Sequence, residues 1–121
     1  MKKLILGLFF LLATSLTVNA ADTIKFGVAG PHTGDLASYG LPSVNAAKIV
    51  VDKINAKGGV LGKKVELLVE DDVCKPEIAG NTATKLVSDK AQVVLGHICS
   101  GATKSAMGFY KAANVVAMSP S

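Results

Sequence analysis

AQVVLGHICSGATKSAMGFYKAA, Ala91–Ala113, is the stretch on which the fold turns. Gln92–Gly96 is short and largely apolar, as expected of a parallel strand covered on both faces. From Ser100 to Asn114 the spacing is helical, with Ala102, Ala106, Phe109 or Tyr110, and Ala113 recurring on the inward side. Between them GHICSGAT, Gly96–Thr103, sets a histidine, a cysteine and a serine in a turn that needs none of them. A tight βα loop is one reading of these residues. A loop holding something small and charged is the other.

The same alternation extends in both directions. TIKFGVA, Thr23–Ala29, reads as a strand in which Ile24, Phe26 and Val28 alternate. Gly30 to Gly40 is a loop dense in Gly, Pro, Asp and Ser, with Tyr39 near its end. From about Leu41, Val44, Ala47, Val51 and Ile54 mark a helix, with Pro42 in its first turn and Gly58-Gly59 as its stop. KVELLVED, residues 64–71, gives a second strand in which Val65, Leu67 and Val69 alternate. Pro76 to Asp89 gives a second helix with Ala79, Ala83, Leu86 and Val87 on its apolar stripe. VVAMSPS, at the end, begins a fourth strand.

The order β-α-β-α-β-α-β predicts an α/β fold, a parallel doubly wound (Rossmann-like) sheet with right-handed crossovers. Ligands in such sheets sit beyond the carboxyl ends of the strands. Those ends are Gly30–Gly40, Asp71-Asp72, Gly96–Thr103 and Ser119–Ser121. A fourth strand with no helix after it leads us to expect that the chain is the first part of a longer domain.

MKKLILGLFFLLATSLTVNA, residues 1–20, has two lysines, an apolar stretch from Leu4 to Leu12, and small residues up to Ala20. This pattern reads as a secretory signal peptide, cleaved after Ala20 or Ala21. Its apolar stretch is shorter than the ~20 residues of a spanning helix. No cysteine lies near the cleavage position, so a lipid-anchored N-terminus is not expected. The mature chain is expected to be soluble and exported. Removing Lys2 and Lys3 from the 13 basic residues leaves 11 against 9 acids, a net charge of +2. These lysines are scattered among acids, which describes a solvated surface and not the basic stripe that nucleic acid requires.

The remaining motifs each carry two readings. GVAGPHTG contains neither GxGxxG nor GxxxxGK[ST], so a phosphate loop is not expected. Asp71 and Asp72, adjacent on a strand, face opposite sides and cannot easily share an ion or a substrate; a strand terminator and a turn cap are the expected roles. Cys74 and Cys99, an even count in an exported chain, suggest a disulfide, with two free thiols as the alternative. Their spacing fits neither a redox pair nor a zinc site. His32 reads as exposed, and His97 as packing beside the cysteines. Ser100, read as the N-cap of the third helix, can be an ordinary cap or an anion site. Tyr39 can cover a ligand or pack on its own loop.

IKFGVAGPHTGDLASYG (Ile24–Gly40), INAKGGVLGKKVELLVEDDVCKPEIA (Ile54–Ala79) and VVLGHICSGAT (Val93–Thr103) together resemble the N-terminal part of periplasmic branched-chain amino-acid binding proteins. These are the substrate-binding components of importers of the ABC class. The resemblance covers the mature chain from about Asp22. It implies two Rossmann-like lobes closing on a free amino acid of the leucine, isoleucine and valine class, with residues 21–121 as the truncated first part of lobe 1. It also implies a membrane permease and ATPase subunits as partners, no catalytic residues, no metal and no cofactor. Carried over by position, Cys74 and Cys99 match the family's disulfide pair, and Ser100 the serine that receives the ligand carboxylate. Tyr39 matches the pocket tyrosine of the first loop, and Ser121 a position whose main chain meets both ends of the ligand. Gly101 replaces a frequent serine and leaves the helix end more open. The acid for the ammonium falls after Ser121. Two other functions stay in view. One is a sensor lobe that binds amides or amino acids and signals to a regulator. The other is an exported hydrolase using Ser100, which lacks an evident base.

Overall fold

A computed structural model of the chain describes residues 22–121. The signal-peptide reading of residues 1–20 lies outside them. The elements are β1 (Ile24–Gly30), α1 (Ala37–Ala56), β2 (Val65–Asp71), α2 (Pro76–Ser88), β3 (Val93–Leu95), α3 (Ser100–Ala112) and β4 (Val116–Met118). The strands form one parallel sheet in the order β2-β1-β3-β4. β1 pairs along its whole length with β2, and Phe26–Val28 pair with Val93–Leu95 on its other side. The doubly wound α/β architecture is the one expected from the alternation of elements.

Handedness places the helices. The chain moves from β1 to β2 in one direction along the sheet and returns past β1 to β3 in the other. Right-handed crossovers that travel in opposite directions lie on opposite faces. α2 and α3 therefore share one face, over Ala29, Ala83, Leu86, Ala91, Val94, Ala106 and Tyr110. α1 covers the other, over Val28, Val44 and Ala47. The neighbours Val28 and Ala29 enter different cores, as the period of two along a strand requires. Burial of a side chain such as Leu86, wholly enclosed, contributes about 1.5–3 kcal/mol.

Three sequence expectations are corrected, and one strand face is less covered than its alternation suggests. α1 starts at Ala37, not near Leu41, so Pro42 lies inside it and Tyr39 belongs to its first turn. The earlier start follows from a turn at Gly34 (φ +75), after which the Ala37 N–H bonds the Gly34 carbonyl at 3.2 Å. Gly40 permits it: a Cβ there would run into the Pro31 carbonyl. Val69 is exposed, because β2 is an edge strand and α1 meets mainly its first half. There Asn55, near the end of α1, bonds both the N–H (2.8 Å) and the carbonyl (2.9 Å) of Val65. Tyr110 takes the inward place on α3, leaving Phe109 and Ala113 exposed. α3 ends at Ala112, two residues before Asn114, whose left-handed backbone (φ 54) is one that asparagine tolerates.

Candidate functional site

The strand order creates one topological switch point. The chain leaves β1 toward β2 and leaves β3 toward β4, so the loops after these adjacent strands diverge to opposite faces. A crevice between them is where doubly wound sheets bind ligands. Its walls are Pro31–Leu36 and Gly96–Cys99. Gly96 opens the second wall with φ +137, its N–H bonding the Met118 carbonyl at 2.8 Å. A Cβ at Gly96 would collide with the Ala29 carbonyl, so only glycine lets this loop lie against β1.

The two aspartates that end β2 serve one wall each. Asp71 holds the first: its Oδ1 accepts from the N–H groups of His32 and Val73, both at 2.9 Å, and its Oδ2 from the Thr33 hydroxyl at 2.5 Å. Partial burial pushes the Asp71 carboxyl up, but the bonds from Thr33, His32 and Val73 outweigh it and leave the group below its ordinary value. Asp72 turns the opposite way and is 0% exposed. Its Oδ1 accepts from the Cys74 N–H at 2.7 Å, which is the turn cap expected of it.

The other oxygen of Asp72 meets His97 Nδ1 at 2.5 Å, and His97 Nε2 lies 3.0 Å from the Tyr110 hydroxyl. His97 is 0% exposed and Tyr110 2%. With Nδ1–H donating to Asp72, Nε2 is left to accept from the Tyr110 O–H. Burial, and secondarily the Asp72 charge, raise the Tyr110 pKa and keep that proton in place. The histidine is thus buried beside the cysteines, but as the centre of a polar chain and not as inert packing. The signal for it was in the sequence: Asp72-Val73-Cys74 and His97-Ile98-Cys99 share one spacing. Pairing the cysteines brings together the residues two places before each. The disulfide joins Cys74 to Cys99 with their Cα atoms 5.5 Å apart.

His32 departs from its expected exposure. The residue is half-buried, and both ring nitrogens are enclosed without a hydrogen-bond partner among the described residues. Burial lowers its pKa, with Asp71, Asp72 and Glu70 pulling the other way less strongly.

The sites singled out from sequence fall around this crevice. Ser100 is the first residue of α3 and not its N-cap; Cys99, with extended backbone, holds that place. The Thr103 N–H, bonded to the Cys99 carbonyl at 2.9 Å, closes the first helical turn. The N–H groups of Ser100 and Gly101 consequently have no acceptor within the helix, and both residues are exposed. Gly101 allows this end to lie close to α2, since a Cβ there would come within 3.1 Å of Pro76 Cγ. Tyr39, 68% exposed, stands at the start of α1 on the opposite face. Ser121 is exposed, and both its N–H (3.2 Å) and its carbonyl (3.0 Å) meet the Ser119 hydroxyl. That hydroxyl also donates to the His97 carbonyl at 2.6 Å, which ties the segment after β4 to the second wall. A groove of about 520 Å³ beside the crevice is lined by Thr33, Gly34, Asp35, Leu36, Val73 and Lys75, and not by Ser100 or Tyr39.

Comparison with known proteins places this geometry in a lineage. The model of the family described as periplasmic binding protein matches residues 23–121. The leucine-, isoleucine-, valine-, threonine- and alanine-binding protein of Pseudomonas aeruginosa is 41% identical over 102 residues, covering 84% of this chain and 27% of that protein. The Leu/Ile/Val-binding protein of Escherichia coli K12 is 37% identical over 100 residues, with 83% and 27% covered. Among solved structures, the branched-chain amino acid transporter substrate binding protein LivJ of Streptococcus pneumoniae, in complex with isoleucine, superposes with a TM-score of 0.78 at 38% identity. That match covers 83% of this chain and 29% of that one. The chain therefore spans between a quarter and a third of the length of these relatives. On the family match and on the sheet order, the chain belongs to the periplasmic binding protein family.

Proposed function

We propose that this chain supplies the carboxylate-holding part of a cleft that captures a free amino acid, of the branched-chain class, for an importer of the ABC type. The observation that carries the reading is the open N-terminal end of α3 at the β1/β3 switch point, led by the exposed Ser100. A helix N-terminus offers unpaired N–H groups and the positive end of the helix dipole. A zwitterion entering a closing cleft must find a partner for each charge. Ser100 and the N–H groups of Ser100 and Gly101 serve the carboxylate through charge-assisted hydrogen bonds. Tyr39 supplies a flat amphipathic surface at the facing wall, and the Ser121 main chain a further polar contact. The relatives named for leucine, isoleucine and valine support this ligand class.

On this reading residues 1–20 direct export, residues 21–121 belong to the first of two ligand-binding lobes, and the closed protein meets a permease with its ATPase in the periplasm. Binding is favoured over hydrolysis at Ser100 because both nitrogens of the nearest histidine, His97, are engaged inside the core. Calorimetric titration with leucine, isoleucine and valine, using the complete protein that contains this sequence, tests the proposal. Ser100→Ala should weaken binding by about 1.5–3 kcal/mol, the range for a hydrogen bond to a charged group. Unchanged affinity would reduce Ser100 to a helix start, and Ser100-dependent turnover of an ester or amide would replace binding with catalysis.

A further inference from the structure

We infer that Asp72, His97 and Tyr110 form a buried positioning relay that fixes the direction of the N-terminal end of α3, and so the direction in which Ser100 and Gly101 present their N–H groups. The inference rests on the reading of that end as the ligand anchor. Three observations carry it. First, the chain is complete: Cys74 N–H to Asp72 Oδ1, Asp72 Oδ2 to His97 Nδ1, and His97 Nε2 to the Tyr110 hydroxyl leave no ring nitrogen or carboxylate oxygen idle. Second, all three residues are shut away from water. Burying a carboxylate and an imidazole costs several kcal/mol before pairing returns any of it, and apolar side chains of like volume are often at least as stabilising. Stability is thus a poor reason for this polar cluster. Geometry is a better one, because hydrogen bonds have direction and apolar contacts do not.

Third, the relay and the disulfide constrain the same bodies in complementary ways. Cys74–Cys99 joins the segment after β2 to the residue before Ser100. One such link fixes a separation but leaves rotation about it. Asp72–His97 adds a second link two residues back on each strand. Tyr110, ten residues into α3, adds a third on the helix body itself. Together these links limit how α3 can turn about the disulfide. The His97 carbonyl, bonded by Thr103 Oγ1 at 2.9 Å and by Ser119 at 2.6 Å, carries the constraint into the first turn of α3. These are positioning residues: none of their side chains reaches the crevice, and they act through the helix end.

The test uses Tyr110→Phe in the complete protein, a change that keeps the ring and removes one donor. Leucine and leucinamide are titrated, two probes that share side chain and ammonium and differ in the carboxylate. Leucine affinity should fall roughly two- to twelve-fold, the effect of one lost hydrogen bond, while leucinamide affinity stays unchanged. His97→Asn, which keeps a donor toward Asp72 and loses the arm to Tyr110, should match it, and the double variant should add nothing further. Equal losses for both probes, or a lowered melting temperature with both affinities retained, would overturn the relay. Amide NMR decides independently of any ligand: the Ser100 and Gly101 signals should move in Tyr110→Phe while those of Val28 and Lys25 stay. Unmoved Ser100 and Gly101 signals would also overturn it. Failure of the unsubstituted protein to bind any amino acid would instead defeat the proposed function, and the amide shifts would still judge the relay.

Discussion

The two walls of the crevice are built in opposite ways. The wall after β3 is held by a disulfide, a buried Asp–His–Tyr chain, and two hydroxyls on the His97 carbonyl. The wall after β1 is held mainly by one surface carboxylate, Asp71, and is exposed from Thr33 to Leu36. One wall is cross-linked and buried, and the other is held nearer the surface by hydrogen bonds. The difference suits a site in which a fixed anchor orients the constant part of a ligand while a softer partner adapts around it.

Removing the disulfide should produce the largest effect. Cys74→Ala with Cys99→Ala frees a loop of 25 residues and should lower stability by about 3.5 kcal/mol in the chain-entropy account, read from urea unfolding. A loss well under 1 kcal/mol would mean that the relay alone holds the wall, and the contrast would need redrawing. Thr33→Val comes next. It takes one of three donors from Asp71 and should cost about 1 kcal/mol, the ordinary value of a single hydrogen bond. A loss as large as that of the disulfide would show the first wall to be as firmly held as the second.

The smallest effect is a slope with pH. His32 has its pKa lowered by burial, so near and below its ordinary value of 6.5 the unfolded chain takes up a proton that the folded one resists. Its contribution is fully present above that value and declines as pH falls toward the lowered one. Asp71 acts in a separate window: its lowered pKa gives stability above the ordinary 3.8, lost as pH falls through the folded value. Urea midpoints should therefore drop modestly between pH 7 and pH 5, and His32→Asn should flatten that part of the curve. An unchanged slope in the variant would assign it elsewhere and leave the first wall without a member that titrates between pH 5 and pH 7.

Much of this was legible in the sequence, for reasons that differ by residue. Alternation at Ile24–Val28 and helical spacing at Val44–Val51 are local signals, and the seven elements appear in their expected order. The start of α1 was misplaced because Gly40 looks like the end of a loop. Its place within a helix depends on a contact with Pro31 that spacing does not encode. Alternation at Val69 says which side the residue faces, and not whether anything covers that side. His97 reads as packing, although its matching offset with Asp72 before the two cysteines points to a further role.

The sequence by itself determined the element order, the parallel α/β class and the pair of cysteines, because each depends on neighbours a few residues apart or on a simple count. Only the tertiary structure decided that β1 lies between β2 and β3. With it came the switch point, the two walls, and the burial of His97 between residues 25 before it and 13 after it. Strand order and the Tyr110 end of the polar chain are set by which distant surfaces fit together, and a local pattern carries no record of that.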